Sequence, residues 1–257
     1  MSLSMDEVAR FNQDGYLLKD ALFSQDEVAV LIDEIEQGSG LDRFTRAAQD
    51  AEGRPSRLAI WYRLEDDAWG AASTKPSIVN GVRLLLGEEA AFFHGKVMFK
   101  EARSGGAWEW HQDYGYWYNE SFAFPRMISA FVALDEATEE NGCLRVLRGS
   151  HKLGRQNHED LGGQTGVTPE RMAALVPLFD EVAVAMKPGS VLFFHCNLFH
   201  RSAPNESDKH RRSFIVCFNA LNNPTLALSG WASEERRPCP TGEEDGALRF
   251  RSSDAPV

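Results

Sequence analysis

No pair among the four cysteines of this chain (Cys143, Cys196, Cys217, Cys239) is spaced as CxxC. That excludes a zinc ribbon and a disulfide-rich secreted module, and leaves reduced thiols in a cytoplasmic protein as the expectation. No apolar run approaches the about 18 residues that a membrane span requires. No basic segment followed by an apolar stretch opens the chain, so no signal peptide is expected, and the initial Met1-Ser-Leu-Ser is given no part in the fold. Basic charge is scarce, with 27 Lys and Arg against 38 Asp and Glu for a formal net charge of −11. Neutralising phosphates needs the opposite balance, so nucleic acid is not expected as a partner. Internal repeats and linkers with a shift in composition are also missing. Residues 1–257 therefore read as one domain, large enough to bury a substantial core.

Amphipathic helix patterning appears first along the chain. Ser24 followed by Glu27 has the form of a capping box, and Val28, Leu31, Ile32 and Ile35 follow at helical spacing. Before it, Asp14-Gly15 marks a turn that leads into a short apolar strand. A second helix is expected from about Ser77 to Leu86. From Phe92 onward the pattern changes to short runs rich in Val, Phe, Ile and Leu, such as "FFHGKVMFKEA", "MISAFVALDEA", "SVLFFHC" and "RSFIVCFNAL". Gly, Pro, Asn and Asp separate them, the signature of a sandwich or barrel. Helix and strand do not alternate, which disfavours a doubly wound parallel sheet. The fold class is mostly β with flanking helices. Residues 152–180 read as a long excursion with a helix near Pro169 to Leu178, and the tail beyond Pro238 is expected to fray.

The chemistry concentrates in "WEWHQDYGYWY", Trp108 to Tyr118. His111 and Asp113 flank one residue, and on a strand two such positions project to the same side. An imidazole beside a carboxylate suits a divalent metal, and a second histidine would complete a two-His-one-carboxylate triad of the kind that holds non-haem iron(II). Taken alone the tripeptide is equally a hydrogen-bonded surface pair. Further along, "VLFFHCNLFHRSAPN" offers His195 and His200, and "KHRRSF" places Arg211 and Arg212 at the mouth of a strand. A guanidinium recognises a carboxylate in bidentate fashion.

Four segments in this order, "FKEARSGGAWEWHQD", "EENGCLRVLRGSH", "KPGSVLFFH" and "FHRSAPNESDKHRRSF", resemble the phytanoyl-CoA dioxygenase-like family of iron(II)- and 2-oxoglutarate-dependent oxygenases. The resemblance spans about residues 92–220. It implies a double-stranded β-helix, or jelly roll, over about 92–222, an N-terminal helical and strand part over 5–90 with its helices on one sheet, and an extension over 223–257. It also implies His111, Asp113 and His200 as iron ligands, 89 residues separating the two histidines. Arg211, eleven residues after His200, would bind 2-oxoglutarate, whereas Arg212 alternates to the opposite face. Ser202 would help hold the same carboxylate, with Lys100 as a further cosubstrate contact and Phe131 packing on it. The Arg211 spacing selects His200 over His195, which then reads as a core histidine. His151 is structural, His158 a residue of a substrate lid, and His94 and His210 have no assigned role. Asn141-Gly142 is a turn beside the cosubstrate pocket.

The implied reaction couples decarboxylation of 2-oxoglutarate by O2, giving succinate and CO2, to hydroxylation of an aliphatic carbon. Related halogenases lack the carboxylate, so an intact Asp113 implies hydroxylation. Tyr114, Tyr116, Trp117 and Tyr118, with Trp108 and Trp110, are expected to wall the substrate pocket, strand alternation deciding which face inward. Aromatic walls and acidic charge favour a small polar or zwitterionic metabolite over an acyl-CoA. Two rivals share these features: a cupin-type hydrolase or isomerase using another metal, and a non-catalytic jelly roll that binds a metabolite.

Overall fold

The computed structural model describes residues 3–37, 40–50, 52–120, 122–226 and 238–240. In chain order the helices are α1 (Met5–Asp14), α2 (Gln25–Glu36), α3 (Ala68–Ser73), α4 (Pro76–Leu86), α5 (Asp113–Trp117) and α6 (Pro169–Leu175). The strands are β1 (Tyr16–Lys19), β2 (Thr45–Gln49), β3 (Pro55–Trp61), β4 (Ala90–Lys100), β5 (Trp108–His111), β6 (Met127–Ala133) and β7 (Leu144–Leu147). After them come β8 (Glu159–Asp160), β9 (Thr165–Gly166), β10 (Glu181–Val184), β11 (Val191–His195), β12 (His200–Ser202) and β13 (Arg211–Ala220). A seven-stranded sheet runs in the order β1-β11-β6-β13-β4-β3-β2, and a four-stranded sheet in the order β10-β7-β12-β5. Every pairing is antiparallel, and the two sheets form the jelly roll.

The large sheet is covered on both faces, which explains its near-continuous apolar strands. From β6, Ile128, Ala130 and Val132 pack toward α1, α2 and α4 in one cluster, which also holds Phe11, Leu31 and Val82. From the same strand, Phe131 and Ala133 point into the jelly roll, where they meet Ile215, Phe194 and Leu144. The period-2 alternation of strands therefore sorts helix-facing from cavity-facing residues. Phe193 and Phe214, fully buried on the helix side, would each cost about 3–5 kcal/mol on truncation to alanine.

The helix expected after Ser24 is present with both halves of its capping box, and α4 lies where the second was expected. Three helices went unread: α1, α3 and α5, the last of which carries part of the site described below. α1 buries only Phe11, so its apolar stripe is thin. The start of the chain does have a part in the fold: Ser4 caps α1, accepting from the Glu7 N–H while the Glu7 carboxylate accepts from the Ser4 N–H. Such a cap is worth about 1 kcal/mol. α3 is six residues long and is held by the Asp67 side chain at its N-cap. The hairpin of β2 and β3 was also unread, because β2 (TRAAQ) is an edge strand with no buried apolar residue. The frayed tail anticipated beyond Pro238 lies outside the described residues apart from 238–240. There Cys239 is buried and its N–H donates to the Ala90 carbonyl. Among the described residues, no helix is long and apolar enough to cross a membrane.

Candidate active site

His111 is the last residue of β5 and sits directly opposite His200 of β12, their ring centroids 4.1 Å apart. The strand ends at that point. Gln112 is the N-cap of α5 and Asp113 its first residue, so the carboxylate comes from a helix start rather than from the strand that sequence spacing implied. Gln112 fixes this corner: its Nε2 donates to the carbonyls of Gly154 and Asn197, and its Oε1 accepts from the Gln156 N–H. A helix N-terminus also favours an acidic side chain in its first turn.

Ligand atoms of His111, Asp113 and His200 all lie within 4.8 Å of one another, and all three residues are buried. His111 Nδ1 is 2.6 Å from the Glu109 carbonyl and His200 Nδ1 is 3.0 Å from the Leu198 carbonyl. A carbonyl only accepts, so each Nδ1 carries the proton and each Nε2 is left with its lone pair. Burial holds both imidazoles neutral, lowering the pKa of His111 well below its ordinary value and that of His200 in the same direction. Burial opposes ionisation of Asp113, but the nearby Lys96 and a hydrogen bond from Ser129 favour the carboxylate, and its pKa is held at about 2. Two neutral imidazoles and one carboxylate on one side of a cavity are the donor set of an iron(II) facial triad. Carbonyl partners on both Nδ1–H groups are the outer contacts that such ligands require.

These groups open on a cavity of about 210 Å³ between the two sheets. Arg211 lines the same cavity, 3% exposed, and burial lowers its pKa to about 10. One terminal nitrogen donates to the Gly142 carbonyl and the other lies 3.4 Å from Ser213 Oγ, while Nε is buried without any partner. No carboxylate among the described residues pairs with it. Arg212, one residue on, faces away and is fully engaged by Asp135 and Glu36. Ser202 and Phe131 line the same cavity, the Phe131 ring centroid 5.8 Å from the Arg211 guanidinium carbon. Gly142 sits at the turn expected there, with φ at +75°, a conformation that a side chain disfavours.

Of the four aromatics following Asp113, Tyr116 and Trp117 line the cavity and Tyr114 and Tyr118 do not. The reason is helical spacing. Asp113, Tyr116 and Trp117 stand at i, i+3 and i+4 on one face of α5, whereas Tyr114 and Tyr118 share another. Tyr114 is core, its hydroxyl donating to the Phe122 carbonyl; Tyr118 is exposed and stacks under Arg155. Trp108 walls the cavity, but Trp110 packs outside it beneath Arg201. A bulge places three residues of β12, His200 to Ser202, against four of β5, Trp108 to His111, which puts Trp108 on the side of His111 although they are three apart.

Two further expectations are corrected. His158 is not a lid residue over the cavity: its Nε2 accepts from the Gln112 N–H and its Nδ1 donates to the Gln156 carbonyl. Both nitrogens are engaged in tying the 152–180 excursion to the ligand corner. The contact is close enough that a Cβ on Gly115 would lie 2.2 Å from the His158 ring. Lys100 does not line the cavity. Its Nζ donates to the carbonyls of Gly106 and Ala203 at 2.7 and 2.5 Å, and burial followed by the nearby Arg211 lowers its pKa to about 6. Lys100→Met is therefore expected to lower stability by about 2 kcal/mol, leaving two buried carbonyls without donors. Its KM for 2-oxoglutarate should stay within about threefold of the parent. A large rise in that KM at unchanged melting temperature would restore the cosubstrate role.

His195 accepts from the Asn197 N–H and packs on His151, outside the triad; His151 Nε2 meets the Asn12 carbonyl, and His210 pairs with Glu101 at the surface. Sequence reasoning missed His94 and Lys96, which line the cavity from β4. Period-2 alternation of His94, Lys96 and Met98 was the available signal, since the three share one strand face. His94 is buried with Nδ1 unpartnered, and burial lowers its pKa to about 3, so its ring is neutral.

Comparison with known proteins agrees with this geometry. The family model for phytanoyl-CoA dioxygenase (PhyH) matches residues 11–213. The chain belongs to the phytanoyl-CoA dioxygenase family. It is similar to the ectoine dioxygenase of Bordetella bronchiseptica, at 28% identity over 86% of this chain and 77% of that protein. It is also similar to the L-proline trans-4-hydroxylase of Streptomyces griseoviridis, at 27% identity over 85% of this chain and 87% of the relative. Among solved structures, EctD from S. alaskensis with 2-oxoglutarate and 5-hydroxyectoine superposes with a TM-score of 0.73, at 26% identity, covering 96% of this chain and 86% of the other. This PhyH-family chain is an enzyme of the iron(II)- and 2-oxoglutarate-dependent dioxygenase class.

Proposed function

We propose that this enzyme hydroxylates an aliphatic carbon of a small, carboxylate-bearing zwitterion. His111, Asp113 and His200 hold iron(II) through two Nε2 atoms and one carboxylate oxygen, while Arg211 and Ser202 hold the distal carboxylate of 2-oxoglutarate. The observation carrying this reading is that one cavity is lined both by a neutral-His, ionised-Asp triad and by a buried guanidinium with no carboxylate partner among the described residues. A buried cation without a counter-ion is costly, so its retention calls for an anionic ligand. Bound at the triad, ferrous iron supplies the oxidative decarboxylation of 2-oxoglutarate and the hydroxylation that follows. The chain orients both reactants and excludes water, with Phe131, Trp117 and Tyr116 as cavity wall.

Charge supports the substrate class. Lys96 projects into the cavity with its Nζ 3.9 Å from Asp113 Oδ1, and Glu120 lines the same space, its carboxyl shifted upward by burial. A cation and an acid across one small cavity, with Tyr62 and Trp117 beside them, suit a molecule carrying both charges. The named relatives fit, since one acts on ectoine and another on L-proline. One lysine in a cavity this size makes no provision for the several phosphates of coenzyme A.

Succinate release with iron(II), 2-oxoglutarate and O2, screened across amino acids, betaines, simple acids and acyl-CoAs, tests this. Zwitterions should stimulate release, and Lys96→Met should raise the KM of the active compound about 30-fold, equivalent to about 2 kcal/mol. Saturable stimulation by an acyl-CoA alone would overturn the substrate class. Turnover independent of O2 and 2-oxoglutarate would point instead to the hydrolase or isomerase reading.

A further inference from the structure

Asp113 has two oxygens and only one of them faces the other ligands. Oδ1 lies 3.9 Å from His200 Nε2, whereas Oδ2 accepts a 2.6 Å hydrogen bond from Ser129 Oγ. Ser129 lies on β6 directly opposite Cys217 of β13, and both are fully buried. Cys217 Sγ is 3.3 Å from Ser129 Oγ. We propose that Cys217 and Ser129 form a two-link relay that fixes the rotation of the Asp113 carboxylate, offering Oδ1 to the metal and holding Oδ2 away from it.

This rests on Asp113 being a metal ligand, as proposed above. The direction of each hydrogen bond follows from chemistry. An ionised carboxylate only accepts, so the Ser129 O–H points at Oδ2. The Ser129 oxygen then has lone pairs to offer, and the thiol beside it donates. Burial pushes the Cys217 thiol up to about 12, so it keeps its hydrogen at any pH the enzyme works in. Neither residue exchanges a proton with the reaction; both act through Asp113 as positioning residues. The consequence concerns coordination number. A carboxylate free to rotate can bind through both oxygens, occupying a position that the 2-oxo acid or O2 needs. Partners outside the ligand set typically govern metal affinity by 10–100-fold.

The test uses the full-length chain stripped of metal and titrated with cobalt(II), whose visible ligand-field bands report coordination directly. Ser129→Ala should weaken cobalt(II) binding about tenfold and change the intensity and position of those bands, with the melting temperature of the metal-free protein recorded alongside. Cys217→Ala should move the spectrum in the same direction by less, and Cys217→Ser, which restores an O–H donor, should return it toward the parent. Wild-type affinity and spectrum in Ser129→Ala would overturn the relay. Should Ser129→Ala fail to fold, the Cys217 pair decides: identical spectra for Ala and Ser refute it, and a shift in Ala rescued by Ser supports it. His200→Ala separates the two levels of inference. Cobalt(II) binding lost there but unchanged in Ser129→Ala sinks only the relay, whereas binding unchanged in both sinks the metal site itself.

Discussion

Asp113→Ala is expected to lose at least about a thousandfold in 2-oxoglutarate turnover, equivalent to about 4 kcal/mol of transition-state stabilisation. The carboxylate is the one anionic member of the triad, held ionised in a buried setting by Lys96 and the Ser129 hydrogen bond. Without it, two neutral imidazoles remain, and the site loses the charge that balances a dication. Lys96 would also face the cavity with its nearest counter-charge gone. The fold should survive, since Asp113 is a member of neither large apolar cluster and the corner that carries it is set by Gln112. Succinate release at saturating iron(II), compared between parent and variant, checks the loss. Turnover in the variant at the parent rate would show that the triad is misassigned.

Arg211→Met should separate cosubstrate affinity from stability. Truncating one partner of a buried charged pair costs about 2–5 kcal/mol, so the KM for 2-oxoglutarate should rise by about 100-fold or more. In the free protein the same residue is a desolvated cation whose Nε has no partner. Replacing it by an apolar side chain of similar length removes that cost but leaves the buried Gly142 carbonyl without its donor, so the two effects offset and the unliganded melting temperature should stay within a few degrees of the parent. The decisive comparison is the shift on adding 2-oxoglutarate. At a hundred times its dissociation constant a ligand adds about 2.7 kcal/mol, so the parent should gain several degrees, whereas a variant bound about 100-fold more weakly gains only about 0.4 kcal/mol, about a degree. An equal gain in both would mean that the carboxylate is held elsewhere.

His111 and Asp113 stood out in the sequence as a paired imidazole and carboxylate, and the family resemblance singled out His200, Ser202 and Arg211 to go with them. The structure brings His111, Asp113 and His200 together and puts Ser202 and Arg211 on the same cavity. Arg211 was preferred to Arg212 by the eleven-residue spacing that the family resemblance implies and by strand alternation, and the pairing of Arg212 with Asp135 places it on the other face. What failed was extrapolation of one period across a change of element. The aromatics after Asp113 were read as strand, but β5 stops at His111 and α5 takes over, so Tyr116 and Trp117 face inward together. Nothing in "HQDYG" announces that switch, because the side chains that stabilise it, Gln112 to Gly154 and Asn197, act over 42 and 85 residues. Lys100 and His158 failed for a related reason. Both are polar groups near the site, but backbone groups satisfy them, Gly106 and Gln156 from nearby in the chain and Ala203 and Gln112 from 103 and 46 residues away. Ser129 carries no signature at all until Asp113 is placed beside it.

The central claim is that one cavity binds iron(II) at the triad and 2-oxoglutarate between that iron and Arg211. Anaerobic titration of 2-oxoglutarate into the iron(II)-loaded protein tests it most directly, through the visible charge-transfer band that a 2-oxo acid gives on chelating ferrous iron. The account predicts a saturable band in the parent, one that needs far more 2-oxoglutarate in Arg211→Met and does not form in Asp113→Ala. A band of equal strength and affinity in all three proteins, or none in the parent, would contradict it.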